Sequence, residues 1–117
     1  MIYGVGTDLC SIERLSQSLE RTPGLKSRIF HPNEQSLPVN SLAARFAAKE
    51  ALAKAIGNPR LLSWAEIEVV KSENGKPSFA LHGNTAINLG EIGIGSIHLS
   101  LSHERELASA MVVVEAN

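Results

Sequence analysis

The sequence predicts a single α+β domain over residues 1–117, with helices packed on a largely antiparallel sheet. Three observations carry this expectation. Short apolar runs suited to strands lie at both ends of the chain, an Asn-Gly pair sits between two further runs, and an alanine-rich segment occupies the middle. Helical segments interleaved with hairpins, rather than alternating with single strands, favour an antiparallel sheet.

In chain order, Ile2 to Thr7 reads as a strand with Gly4 and Gly6 on one face, where another backbone or a ligand can approach closely. Asp8 is expected where that strand ends. Ser11 to Thr22 reads as a helix, with Ile12, Leu15 and Leu19 at helical spacing, stopped by Pro23-Gly24. Pro32 and Pro38 break the next stretch, leaving room for a short helix near 33–37. Leu42 to Ile56 is the clearest helix. Its alanines favour helix and make it thin enough to pack on several sides, as a central element would. Ser41 is the expected N-cap and Gly57-Asn58-Pro59 the stop. Trp64 to Lys71 and Lys76 to His82 read as a hairpin about Glu73-Asn74-Gly75, with Asn-Gly supplying positive φ angles. A short helix over 84–90 follows. Ser96 to His103 alternates, with Ile97, Leu99 and Leu101 on one face and His98, Ser100 and Ser102 on the other; Ala108 to Glu115 forms the last strand.

Composition narrows the function classes. The hydrophobic fraction of 44% permits a core and argues against disorder. With 11 basic and 12 acidic residues the net charge is −1, so no general nucleic-acid surface is indicated and any basic site is local. The single cysteine, Cys10, excludes an internal disulfide and favours a reducing compartment. Neither a signal peptide nor a membrane-spanning run is present, and the chain reads as a soluble cytoplasmic protein.

Several side chains could carry chemistry. Asp8, next to glycines at a strand end, reads either as a cation ligand or as a cap accepting from the Ser11 amide. Phe46, Glu50 and Lys54 recur at i, i+4, i+8 and line one helical stripe; Arg45 and Lys49 line the adjacent one. Glu50 and Lys54 could form a surface pair worth roughly 0.3–0.5 kcal/mol. However, their stripe is shared with Phe46, and the small side chains elsewhere leave little solvated face. A partly buried carboxylate needs a partner, which Lys54 or a metal would supply. Asp8 and Glu50 offer two hard oxygen ligands, with positive charge nearby on Arg45, Lys49 and Lys54. That set suits Mg2+ and a diphosphate. Ser102-His103 resembles no nucleophile elbow, and no third triad member is identifiable. His31, His82 and His98 show no metal-ligand spacing and read as structural.

Gly6-Thr7-Asp8-Leu9 with Glu13-Arg14, followed by Arg45-Phe46-Ala47-Ala48-Lys49-Glu50-Ala51 with Lys54-Ala55, resembles the holo-acyl-carrier-protein synthases, the small bacterial-type phosphopantetheinyl transferases. Ile67-Glu68-Val69, Gly75-Lys76-Pro77, Leu99-Ser100-Leu101-Ser102-His103 and Val112-Val113-Val114-Glu115 match in the same order, so the resemblance covers nearly the whole chain. It implies a ferredoxin-like half per chain and a homotrimer with coenzyme A at the subunit interfaces. The implied reaction is Mg2+-dependent transfer of 4′-phosphopantetheine from coenzyme A to a serine of apo acyl carrier protein, in fatty acid biosynthesis. By the same resemblance Asp8 and Glu50 are the metal ligands and Glu50 and Lys54 catalytic. Arg45, Lys49 and His103 contact phosphates of coenzyme A, and Arg14, with Arg21 one face along the first helix, meets an acidic carrier protein. After Lys54 the family's Gly-rich turn is reduced to Gly57, with Pro59 lacking an amide donor, so Arg60 becomes the candidate replacement. The rival readings are a non-catalytic module binding coenzyme A or a nucleotide, and a detached transferase domain of a fatty acid synthase. The start at Met1 favours a free-standing enzyme over the latter.

Overall fold

A computed structural model describes residues 1–117. Five strands, β1 (Ile2–Ser11), β2 (Ile67–Lys71), β3 (Pro77–Leu81), β4 (Ile94–Glu104) and β5 (Leu107–Ala116), combine with four helices, α1 (Ile12–Arg21), α2 (Leu25–Ile29), α3 (Val39–Ile56) and α4 (Gly83–Glu91). β5 lies between β1 and β4 in an antiparallel three-stranded sheet, and β2 and β3 form a separate antiparallel pair. The expected α+β class with antiparallel pairing is therefore found, divided into two sheets.

The main sheet buries one face and exposes the other. Ala108, Ala110, Val112 and Val114 of β5 point into the core, while Leu107 and Met111 are exposed. The expected alternation in β4 also holds, since Ile97, Leu99 and Leu101 pack against the core. β1 runs four residues further than expected, to Ser11, pairing with β5 in the register Gly6↔Val112, Asp8↔Ala110 and Cys10↔Ala108. Asp8 thus lies within a strand instead of at its end. It does not cap α1: that role falls to Ser11, whose hydroxyl accepts from the Arg14 amide at 3.2 Å.

α3 is central, as its alanines require. It is buried on several sides, with Ala43, Ala47, Ala48 and Ala51 fully inaccessible. Two glycines set how closely it lies on β1. A methyl group at Gly4 would land on the Ala55 carbonyl oxygen, and one at Gly6 on that of Ala51. The helix begins earlier than expected: Pro38 occupies the N-cap and Ser41 lies inside. Trp64–Glu66 forms a 3₁₀ turn before β2 instead of the first part of a strand. In the β2–β3 turn only Gly75 has positive φ (84°). Asn74 contributes through its side chain, which accepts from the Ser72 hydroxyl and the Lys76 amide.

One tie joins three segments. Glu34, in a 3₁₀ turn at Pro32–Glu34, accepts from Lys49 Nζ of α3 at 2.6 Å, from the Val69 amide of β2 at 2.9 Å and from the His31 amide at 2.9 Å. Both Glu34 (1%) and Lys49 (0%) are inaccessible. Lys49 completes its donors on the carbonyls of Ile29 (2.8 Å) and Trp64 (3.2 Å), with its ammonium 4.9 Å from the centre of the Phe30 ring.

Candidate active site

The glycines that let α3 settle on β1 also place the candidate site residues. Gly4 and Gly6 meet Ala55 and Ala51, so the chains run in opposite directions at this contact, and the next inward position on β1, Asp8, lies beside the preceding turn of α3. Lys54 bends over the strand and donates to the Thr7 carbonyl at 2.9 Å and to Asp8 Oδ1 at 3.1 Å. Its side chain is 56% exposed, so this ion pair is open to solvent and adds little stability.

Glu50, one turn before Lys54, is half-buried. Burial, then the negative charge of Asp8, push its carboxyl above the ordinary range, and Lys54 partly opposes them. Cys10, one inward position beyond Asp8, reports on the same field. Burial and the charges of Asp8 and Glu50 raise its thiol to about 11. At neutral pH Cys10 is therefore a protonated core residue and no nucleophile. Two carboxylates whose charges repel in a partly desolvated site form a donor set that a hard dication would relieve. Asp8 and Glu50 fit a Mg2+ ligand pair in that chemical sense. Lys54, sharing Asp8, is flexible enough to turn to an incoming anion.

The predicted phosphate contacts divide. Arg45 and His103 line one cleft of about 290 Å3, together with Ser41, Lys71, Gly75 and Ser102. Arg45 is braced there by the carbonyls of Val69 (3.3 Å) and Ser41 (3.4 Å). Lys49 corrects the sequence expectation. It projects about a quarter-turn round the helix from Glu50 and inward, with all three ammonium protons engaged internally, and has none to offer a phosphate. Burial lowers its pKa and the bond to Glu34 counters this. Lys71, which the sequence reading passed over, lines the Arg45–His103 cleft in its place. Its position at a strand end before an Asn-Gly turn gave no signal beyond an ordinary solvated charge.

Asp8 and Lys54 line a different cleft, with Thr7, Leu9 and Ser109. The two clefts sit toward opposite edges of the main sheet, one on β1 and one on β4. On the α1 side, Arg14 and Ser18 line a groove with Leu9, Leu15, Leu25, Ile29 and Phe46. Arg21 is exposed in the last turn of α1. Arg60 is exposed too, its amide held by the Asn58 side chain at 3.1 Å. No helix is long and apolar enough to cross a membrane.

Comparison with known proteins agrees with this fold. The chain is 52% identical over 117 residues to a holo-[acyl-carrier-protein] synthase of Clavibacter michiganensis, covering 100% of this chain and 98% of the relative. It is 48% identical to the synthase of Streptomyces griseus, covering 98% and 99%. Among solved structures, holo-[acyl-carrier-protein] synthase from Neisseria meningitidis superposes with a TM-score of 0.91 at 38% identity, covering 98% of this chain and 99% of that one. A Bacillus anthracis synthase in complex with CoA (3′,5′-ADP) gives 0.81 at 32% identity, covering 100% and 99%. A family model matches residues 4–108, and the chain belongs to the 4′-phosphopantetheinyl transferase superfamily.

Proposed function

We infer that this chain is a holo-acyl-carrier-protein synthase. It transfers the 4′-phosphopantetheine of coenzyme A to a serine of apo acyl carrier protein and releases adenosine 3′,5′-bisphosphate, in fatty acid biosynthesis. The observation that carries this reading is the convergence of Asp8, Glu50 and Lys54 from β1 and α3. Relatives of this name at about half identity, and solved relatives bound to coenzyme A, support it. A module that merely bound coenzyme A would have no use for two mutually repelling carboxylates.

The serine hydroxyl attacks the β-phosphorus of coenzyme A. A new P–O bond forms and the bond to the bridging oxygen breaks, leaving the bisphosphate. Asp8 and Glu50 would hold a Mg2+ that neutralises charge on the diphosphate. Lys54 swings from Asp8 toward the diphosphate and offsets the negative charge that grows on the leaving oxygen. The serine proton goes to Glu50, directly or through a water, or to a phosphate oxygen of the substrate.

Arg45, His103 and Lys71 form a cationic cleft suited to the outer phosphate of coenzyme A. It lies toward the β4 edge, whereas the carboxylates lie toward β1. We place coenzyme A between copies of the chain, with the β1 edge of one copy meeting the β4 edge of the next, in a homotrimer. The exposed apolar side chains Val5, Leu9, Leu107 and Met111 on the outer sheet face are what such an assembly would cover. Acyl carrier protein docks on α1, where Arg14 and Arg21 offer positive charge beside the groove holding Phe46. A cytoplasmic location goes with these partners.

Mass spectrometry of apo carrier protein incubated with coenzyme A, Mg2+ and this protein tests the reading. A gain of one phosphopantetheine is expected; an unmodified carrier under conditions where a known synthase modifies it rejects it. Light scattering should give three chains per particle, and a monomer that remains active would remove the shared site.

A further inference from the structure

A second cluster lies away from the carboxylate pair, and the reaction above does not use it. His31 stands at the N-cap of the 3₁₀ turn, Glu68 in β2, and His82 at the entry to α4. The histidines are 51 positions apart in the sequence, which is why they show no ligand spacing. The fold stacks their rings with centroids 4.5 Å apart and brings both to one carboxylate oxygen. His82 Nε2 is 2.9 Å from Glu68 Oε1, and His31 Nδ1 is 3.8 Å from the same atom.

We propose that His31, Glu68 and His82 form a binding site for a transition-metal dication of the Zn2+ type, distinct from the Mg2+ pair. Their ligand atoms all lie within 4.8 Å of one another. A tetrahedral ion with ligands at 2.0–2.1 Å has edges of roughly 3.3–3.4 Å, and the observed 2.9 Å and 3.8 Å straddle that value. The donor set is two imidazoles and one carboxylate, which suits Zn2+, Co2+ or Ni2+ and disfavours Mg2+.

The surroundings prepare the carboxylate as a ligand. Glu68 is buried and its second oxygen, Oε2, accepts from Asn33 Nδ2 at 3.1 Å, which fixes the orientation of the group. Burial alone would raise its pKa, but hydrogen bonds from His82 and Asn33 and the nearby imidazoles outweigh this and hold it below the ordinary range. The His82 side chain is 43% exposed, which leaves it free to turn out of the stack toward the ion and admits water as a fourth ligand. Binding through His31 Nδ1 competes with the Asn33 amide, which that atom now accepts at 3.1 Å.

Co2+ titration of the full chain carrying Glu50→Gln, which removes one ligand of the other pair, tests the site by visible absorption. One equivalent of Co2+ should produce a tetrahedral band that Zn2+ displaces and excess Mg2+ leaves in place. His82→Ala should abolish the band, since the His82 side chain makes no cap bond to α4 and its loss leaves the helix intact. His31→Ser keeps a hydroxyl that can cap the 3₁₀ turn and should weaken binding at least about tenfold, a change of roughly 1.4 kcal/mol. Zn2+ should raise the Tm of the parent protein and leave that of folded His82→Ala unchanged. Absence of uptake with Co2+ in excess, or binding by both histidine variants as tight as the parent's, overturns the proposal. Neither result bears on phosphopantetheine transfer.

Discussion

Lys49 and Glu50 are neighbours in the chain with opposite fates. Lys49 turns inward to Glu34, the end of α2 and the 3₁₀ turn before β2, and every ammonium proton it owns is committed. Glu50 turns toward β1, half-buried beside Asp8, with its charge unsatisfied enough to raise its pKa. One helix thus carries a charge satisfied within the fold and a charge left open to a ligand, roughly 100° apart, the rotation per residue of an α-helix. The difference lies in what each meets. A buried charge with a full set of partners stabilises a particular arrangement of segments, whereas a carboxylate left partly unpaired is available to a ligand.

The largest effect is expected on the inward side. Glu34→Ala strands the Lys49 ammonium in the core and should lower unfolding free energy by about 3–5 kcal/mol, a large share of a small domain's total. Urea denaturation measures it. Replacing the pair together, Glu34→Leu with Lys49→Met, should recover much of that loss; a double variant as unstable as Glu34→Ala would mean the pair does more than satisfy itself. On the outward side, Asp8→Ala should leave the urea midpoint almost unchanged while phosphopantetheine transfer falls by about 10³-fold, equivalent to ~4 kcal/mol of barrier. Retained transfer would break the contrast between the two faces. Gly6→Ala pushes the helix off the strand and should cost ~1–3 kcal/mol, with activity falling as well because Lys54 loses its reach.

A smaller effect sharpens the same contrast through pH. The folded pKa of Glu50 lies above its ordinary value of 4.5. Its contribution to stability is complete below that ordinary value and is lost as pH rises through the raised folded value. Metal-free Glu50→Gln should therefore melt a few degrees higher than the parent at neutral pH while being inactive. In the parent, Mg2+ affinity should weaken as pH falls through Glu50's raised value, before ordinary carboxylates titrate. A Tm that drops in Glu50→Gln would show that the carboxylate already has a satisfying partner. The smallest change belongs to the docking face: Arg14→Glu should raise the KM for carrier protein several-fold at low salt and less at high salt, with kcat kept.

The parts of this arrangement that local pattern can express were legible in the sequence. Alanine content gave the thin central helix, Gly4 and Gly6 the close approach, and i, i+4, i+8 spacing the Phe46–Glu50–Lys54 stripe. The adjacent stripe of Arg45 and Lys49 was also seen, but periodicity says only that a stripe exists and not what it faces. The partner of Lys49 is Glu34, fifteen positions earlier in a proline-broken segment, and nothing local marks that residue as buried. The convergence of His31 and His82 is invisible for the same reason. The end of β1 was misjudged because Asp8 looks like punctuation, while pairing with β5 carries the strand through it to Ser11. The expectation of a homotrimer rests on resemblance alone, since no single-chain pattern encodes an assembly.

The bond from Lys54 to the Thr7 carbonyl has a further consequence. β1 is the outermost strand of its sheet, and Thr7 lies between Val5 and Leu9, which are both exposed. An open backbone acceptor flanked by such residues invites another chain to add itself as an extra strand. By covering that carbonyl with a charged group, Lys54 would disfavour strand addition there wherever this edge is left uncovered. Replacing it with methionine removes more than a reactive amine, and the variant should be harder to keep soluble as well as slower.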